Sequence, residues 1–502
     1  MPDYQAEWKR FRQALNEVYD LRAAIALLQW DQEVFMPPKG ALARGCQLAT
    51  LSALAHRAFT APEWGERLDK LAGADHAIST DERLLIAETR HDYLRATRLP
   101  ESFVHAFAAA QSAAYEAWAH ARAQSDFAAF RPHLETMVEL ARQKADYLGY
   151  EGSPYDALLE EYERGMTVAQ LRPLLADLAA AQGALAGRIA ANNPQPDAGW
   201  LEQEWNEEAQ WKLTCRVLRD MGFDFSAGRQ DRSLHPFTTN FDLCDVRITT
   251  RTNPRELFSA LTGSMHEGGH ALYEQGFLEN DRRTTLAEGI SLGIHESQSR
   301  MWENIIGKSL PFWKRYAPIV RQAFPGQLDA VTPEQFYAAI NRVQPSLIRV
   351  EADECTYNLH IVLRFEIEVA LIEGDLAVAD VPGAWNEKMR RYLGIDVPDD
   401  ARGCLQDIHW AHGSMGYFPT YALGNLYAAQ LFEAMSRDLP ELWSFVEAGD
   451  FGPLREWLRI RVHQVGRRKT AVALLQDVTG QPPSAGPFLA YLTRKYESLY
   501  GS

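Results

Sequence analysis

His266 and His270 stand four residues apart in the string His266-Glu267-Gly268-Gly269-His270. On a helix, residues four apart lie one turn above each other, so both imidazoles leave one face and can share a divalent ion. Glu267, beside the first histidine, then turns toward the water such an ion activates. With 14 histidines in 502 residues, the pattern arises by accident about 0.03 times in such a chain. The alternative is a solvated helix face carrying two histidines and a glutamate. Gly268 and Gly269 weigh against it, because each costs roughly 1 kcal/mol relative to alanine in a helix interior. A surface helix gains nothing from the pair, whereas the close approach of another backbone requires it.

Two histidines do not complete a catalytic site, which takes a third protein ligand and leaves one position for water. Glu296 is the best candidate, in the helical-looking run Ile294 to Trp302, 26 residues after His270. That distance allows a loop and a return to an adjacent helix. Glu288, Glu303 and His295 compete by spacing, and Glu274 follows His270 on the same helix, where tetrahedral closure is poorer. A zinc ion so held lowers the pKa of water toward ~7 and polarises a carbonyl. Glu267 takes the water proton and passes it to a leaving amine, and nearby donors stabilise the tetrahedral oxyanion. Amide hydrolysis is the natural reaction, and cobalt or manganese suits the same ligands.

These residues need rigid supports. Asn253 as cap, Pro254 in the first turn, Glu256 completing a capping box and Gly276 as a stop predict a helix around the motif, with Leu257, Leu261 and Leu272 as its apolar stripe. A strand is predicted over Phe241 to Thr250, where Val246, Ile248 and Thr250 alternate with Asp245, Arg247 and Thr249. Phe11, Leu15, Val18, Leu21 and Ile25 predict an N-terminal helix that ends before Met36-Pro37-Pro38. Amphipathic alanine-rich segments follow over about 101–148 and 168–191. The turn-forming stretch Asn192 to Asp197 separates an N-terminal helical lobe, about 1–192, from a portion bearing the metal site, about 193–502, within a single domain 1–502. The expectation is a mainly α-helical protein with a small sheet.

Charge narrows the partners. Lys and Arg total 51 against 67 Asp and Glu, a formal charge of -16, which repels nucleic acid and anionic lipid headgroups. No stretch approaches the ~20 apolar residues that cross a bilayer, and the mixed charges at the start do not suit a secretory signal, so a cytoplasmic location is expected. Cys46, Cys215, Cys244, Cys355 and Cys404 form no CxxC pair and read as reduced core thiols.

Further short motifs accompany HExxH in order: His235-Pro236-Phe237, Asp245-Val246-Arg247-Ile248-Thr249, His295-Glu296-Ser297-Gln298, Ile348-Arg349-Val350-Glu351-Ala352-Asp353, and Gly403-Cys404-Leu405-Gln406-Asp407-Ile408-His409-Trp410. With Trp30-Asp31-Gln32 to Met36-Pro37, the chain resembles the carboxypeptidase Taq family of metallocarboxypeptidases over nearly its full length. The resemblance implies His266, His270 and Glu296 as metal ligands and Glu267 as the catalytic carboxylate. It also implies a cytoplasmic zinc exopeptidase that removes residues one at a time from the C-termini of short peptides, with broad side-chain tolerance and poor activity beside proline. A clamp-like helical body with a deep groove, similar to neurolysin-type oligopeptidases, and a homodimer belong to the same implication.

A carboxypeptidase must recognise a free carboxylate, for which a guanidinium fork is the best partner. Arg349 and Arg247 are the candidates, although Arg349 can instead pair with Asp353 and Arg247 with Asp245. An exposed edge of the Asp245–Thr249 strand could bind the peptide main chain. His409 and Tyr421, with Tyr417 close behind, are candidate donors to an oxyanion or carboxylate, against the alternative of a packed aromatic turn. His235 either meets substrate or orients a neighbour. The rival functions are an endo-acting zinc oligopeptidase and a catalytically silent peptide-binding protein that keeps zinc for structure.

Overall fold

The computed structural model describes residues 2–73, 78–192 and 195–501. The N-terminal periodicity becomes a helix over Pro2–Val34, which buries Phe11, Leu15 and Val18. Together with Phe59, Trp64, Leu68, Leu71, Leu85 and Ile86 they form a small core of their own, joined by Leu286 from the middle of the chain. The 101–148 run is two helices, Glu101–Gln124 and Phe127–Leu148. Ser125 turns left-handed between them (φ 55°), and Asp126 caps the second by accepting from the Ala129 N–H at 3.2 Å. Alanine content carries the helical period through this break, which is why the sequence reads as one segment.

The helix Val168–Asn192 corrects one expectation. Its stretch Val168–Ala191 is long and apolar enough by composition to cross a membrane, at a mean hydropathy of 1.2. In the fold, Leu171, Leu175, Leu178, Leu185 and Ile189 are buried in the main core, on a helix that packs against Tyr357–Glu373 and Gly486–Tyr500. Burying each such side chain contributes on the order of 1.5–3 kcal/mol. Of the Asn192 to Asp197 turn, Asn193 and Pro194 lie outside the described residues. The cysteine expectation holds in part: all five are free and Cys355 and Cys404 are buried, but Cys46 and Cys244 are exposed.

Three strands make the sheet, β1 (Gly228–Arg232), β2 (Thr238–Asp242) and β3 (Asp245–Thr250), in the order β1-β3-β2. β3 runs parallel to β1 and antiparallel to β2. The single strand expected over Phe241–Thr250 is therefore a hairpin: Phe241 and Asp242 end β2, and Asp242 Oδ1 accepts from the Cys244 N–H at 3.0 Å to close the turn. Central position also leaves β3 no free edge for a peptide. The edge strands are β1 and β2.

The helix carrying HExxH spans Ser259–Glu274, shorter at its start than predicted. The Asn253 carbonyl accepts from Gln210 Nε2 at 2.7 Å and the Pro254 carbonyl from the Trp205 N–H at 2.7 Å. These long-range partners hold the segment in turns instead of a helix: the Asn253 carbonyl also accepts from the Glu256 N–H at 3.2 Å, and the Asn253 side chain accepts from the Arg255 N–H. Tertiary partners have overridden the capping box. Gly276 does mark the end, where its missing side chain makes room for His463.

Candidate metal centre

Three donors converge where the HExxH helix meets the helix Leu292–Arg300. One ligand atom each from His266, His270 and Glu296 lie within 4.8 Å of one another. Glu296 Oε2 is 3.6 Å from His266 Nε2 and 3.5 Å from His270 Nε2. Glycines make this approach possible. A Cβ on Gly269 would lie 2.6 Å from the Gln298 carbonyl oxygen and 2.7 Å from Ser299 Cα, so the two backbones nearly touch there. Gly268, by contrast, faces the side chains of Leu218 and Met221, so only one glycine of the pair meets the expected backbone.

The second helix is held from behind by Pro419–Asp438, whose Gly424 abuts Glu296. A Cβ at Gly424 would lie 2.6 Å from the Glu296 Cβ. Gly424→Ala is therefore expected to push Glu296 out of place and weaken metal binding by at least about tenfold, comparable to loss of a supporting hydrogen bond. Retained metal after dialysis against graded chelator measures it.

Three of the four competitors for third ligand stand around the site. Glu303 Oε2 meets His266 Nδ1 at 2.8 Å, and His295 Nδ1 meets His270 Nδ1 at 2.6 Å. Glu274 meets His295 Nε2 at 2.7 Å. Glu288 lies apart, paired with Arg467 at 2.7 Å. After Arg300 the helix loosens into a π-helical turn, Met301–Ile306, a distortion frequent at functional sites. Arg300 there bridges Glu296, at 2.6 Å, and Glu303, at 3.2 Å.

Electrostatics suit a dication. Burial works to raise the Glu296 carboxyl, but Arg300, His266 and His270 outweigh it and hold it well below the usual range. Burial pushes His270 down to about 3, keeping it neutral as a ligand must be. Burial opposes charge on His266 as well, yet Glu296 and Glu303 lift it to about 8. The negative field that favours a proton there also favours a metal ion. Two imidazole nitrogens and one carboxylate oxygen, with both Nδ1 atoms engaged behind them, form a donor set that fits zinc, cobalt or manganese.

Glu267 is buried, and burial raises its carboxyl against the opposing pull of His266 and Thr238. Thr238 Oγ1 lies 2.6 Å from Glu267 Oε2 and fixes it from β2. The sequence offers no signal for Thr238 except its place two residues after His235-Pro236.

Behind the ligands lies a polar chain. The Arg300 guanidinium sits 4.7 Å over the Tyr357 ring, and Tyr357 Oη accepts from Arg349 Nη1 at 3.0 Å. Arg349 sits 4.7 Å over the Tyr421 ring and pairs with Asp407 at 2.9 Å. It does not pair with Asp353, which caps the turn at Cys355 and Thr356. Arg364, fully buried, holds the other Asp407 oxygen at 2.6 Å. His409 Nε2 is 3.3 Å from Tyr421 Oη, Tyr417 packs on both His409 and Tyr421, and burial pushes His409 down to about 3.

Arg247 follows its alternative reading: it grips Asp245 with two hydrogen bonds, at 2.8 and 2.9 Å, and stacks on Trp30 at 4.3 Å. His235 is exposed on the loop before β2, with its carbonyl accepting from Ser233 Oγ. A cavity of about 620 Å³, bordered by Tyr162, Ser291, His91, Arg95 and Arg467, reaches the surroundings of the candidate ligands only at His295.

Comparison with known proteins places this geometry in a family. Residues 10–496 match the model of the carboxypeptidase Taq (M32) metallopeptidases. The chain is 42% identical to thermostable carboxypeptidase 1 of Thermus thermophilus across 99% of both, and 39% identical to carboxypeptidase 1 of Bacillus subtilis across 98% of both. The crystal structure of an M32 carboxypeptidase from Deinococcus radiodurans R1 superposes with a TM-score of 0.97 at 40% identity, covering 99% of this chain and 100% of that one.

Proposed function

This chain belongs to the carboxypeptidase Taq (M32) family of metallopeptidases, and from that premise we propose a zinc-dependent exopeptidase that hydrolyses the C-terminal bond of short peptides with broad side-chain tolerance. The convergence of His266, His270 and Glu296 within 4.8 Å carries the reading. His266 and His270 would hold the ion through Nε2 and Glu296 through its carboxylate, and the bound ion supplies Lewis-acid polarisation of a carbonyl and of water. Glu267 takes the proton of the attacking water and hands it to the leaving amine. Thr238 keeps that carboxylate oriented.

Arg349 is the partner for the substrate's terminal carboxylate. A guanidinium has five N–H donors; three of Arg349's are committed to Asp407 and Tyr357, which leaves two for substrate. Arg247 is better read as an anchor between β3 and the N-terminal helix. Tyr421, over whose ring that guanidinium sits, and its neighbours Tyr417 and His409 are the candidate donors, and His235 is kept as a further candidate on its exposed loop. The same reading takes the chain as one domain and, on family likeness alone, as a cytoplasmic homodimer.

Paired dipeptides decide between exo- and endopeptidase. An N-blocked dipeptide with a free C-terminus should be cleaved and its C-terminal amide at least about 100-fold more slowly, the weight of a charge-assisted carboxylate–arginine contact of ~3 kcal/mol. Equal cleavage of the two would favour the endo-acting alternative.

A further inference from the structure

The two histidines of the HExxH helix are supported differently. His266 Nδ1 meets the Glu303 carboxylate directly at 2.8 Å. His270 Nδ1 meets another imidazole, His295 Nδ1, at 2.6 Å, and His295 Nε2 continues to Glu274 Oε1 at 2.7 Å. Asn240 of β2 donates to the other oxygen of Glu274.

Each bond in this row fixes the next. A carboxylate only accepts, so the proton between His295 and Glu274 sits on His295 Nε2. With that proton as its one N–H, His295 offers Nδ1 as an acceptor, and the His270 Nδ1–H donates to it. The proton on His270 is then on Nδ1, and its Nε2, 3.5 Å from Glu296 Oε2, presents a lone pair. The placement follows from the elements: Glu274 stands one helical turn beyond His270, and His295 immediately precedes Glu296 on the facing helix. The residue beside one ligand thus clamps another. Tyr273 flanks His295 at a ring separation of 5.1 Å, and His295 also borders the 620 Å³ cavity, so the position has space for other side chains.

We infer that His295, oriented by Glu274 and Asn240, is a positioning residue that holds His270 in the one tautomer whose Nε2 can take a metal ion. The inference rests on the metal-site reading above. Glutamine can imitate the row, accepting from His270 through its oxygen and donating to Glu274 through its amide; phenylalanine can do neither.

The test equilibrates the zinc-loaded full chain with graded chelator and reads retained zinc, alongside thermal unfolding of the metal-stripped protein. His295→Phe is expected to weaken zinc binding about 10- to 100-fold, His295→Gln to stay within about threefold of wild type on the same scale, and the stripped proteins to melt alike. If the Phe variant does not fold, Glu274→Ala cuts the row one bond further out and must show the same loss. Zinc retention by a folded Phe or Ala variant equal to wild type would overturn the inference. A folded Gln variant as weak as Phe would overturn it too. Wild-type protein that takes up no stoichiometric zinc would instead remove the metal-site reading on which it stands.

Discussion

Glu267→Gln is expected to keep its metal and lose turnover by about 10²- to 10⁴-fold, the contribution of a positioned general base. The substitution preserves shape, and the glutamine oxygen can still accept from Thr238, which holds the native carboxylate at 2.6 Å. His266, His270 and Glu296 are untouched, so metal content should not fall. What disappears is a site able to accept a proton from water and release it to the leaving amine. Turnover of an N-blocked dipeptide, measured with metal content on the same preparation, checks both halves. Near-normal turnover would contradict the assignment of Glu267. It would also revive the reading in which the metal serves structure alone.

The second large effect is on stability. Among the described residues, Asp407 is the one carboxylate paired with two buried guanidiniums, Arg349 and Arg364, which it holds at 2.9 and 2.6 Å. Burial acts to raise its carboxyl, but Arg364 and Arg349 outweigh burial and keep it far below the usual range. Asp407→Asn leaves both guanidiniums without a countercharge, and breaking a buried pair in this way costs about 3–5 kcal/mol. Thermal or denaturant unfolding of variant and wild type gives the difference. Its pH dependence has a definite sign. A carboxyl depressed in the folded state contributes stability that is present above its unfolded pKa of ~3.9 and is lost as pH falls through the folded value. The two proteins should differ fully at neutral pH and converge only in strong acid. An Asn variant as stable as wild type at neutral pH would mean that the guanidiniums are not buried as described.

The candidate ligands could be brought together from the sequence because their geometry is local or nearly so. The four-residue spacing of His266 and His270 needs only a helix, and Glu296 needs only a neighbouring one. Gly269 announced the contact between those helices. The partners behind the ligands were not legible in the same way. Glu303, His295 and Glu274 were visible as acidic or imidazole groups near the motif, but spacing cannot distinguish a residue that binds the ion from one that orients a ligand. The alternative partner that the sequence offers Arg349 is Asp353, four residues away, whereas in space it pairs with Asp407, since local periodicity says nothing about a loop arriving from far along the chain.

Boundaries failed for the same reason. Asn253, Pro254 and Glu256 form a good capping box in isolation, yet Gln210 and Trp205 bind the carbonyls at 253 and 254 and delay the helix to Ser259. The β hairpin was read as one strand because the alternation in Val246, Ile248 and Thr250 continues plausibly back through Phe241. β1 carries Arg229, Gln230, Asp231 and Arg232, and no apolar alternation marks it. Its pairing with β3 depends on Gly228, where a side chain would strike the Val246 carbonyl.

Metal content per chain, measured on protein purified without added metal and compared with the His266→Ala/His270→Ala double variant, tests the central claim most directly. The account predicts close to one divalent ion, in the main zinc, in the wild type and essentially none in the double variant, with both chains folded. A double variant that keeps its ion, or a folded wild type that never takes one up, would contradict it.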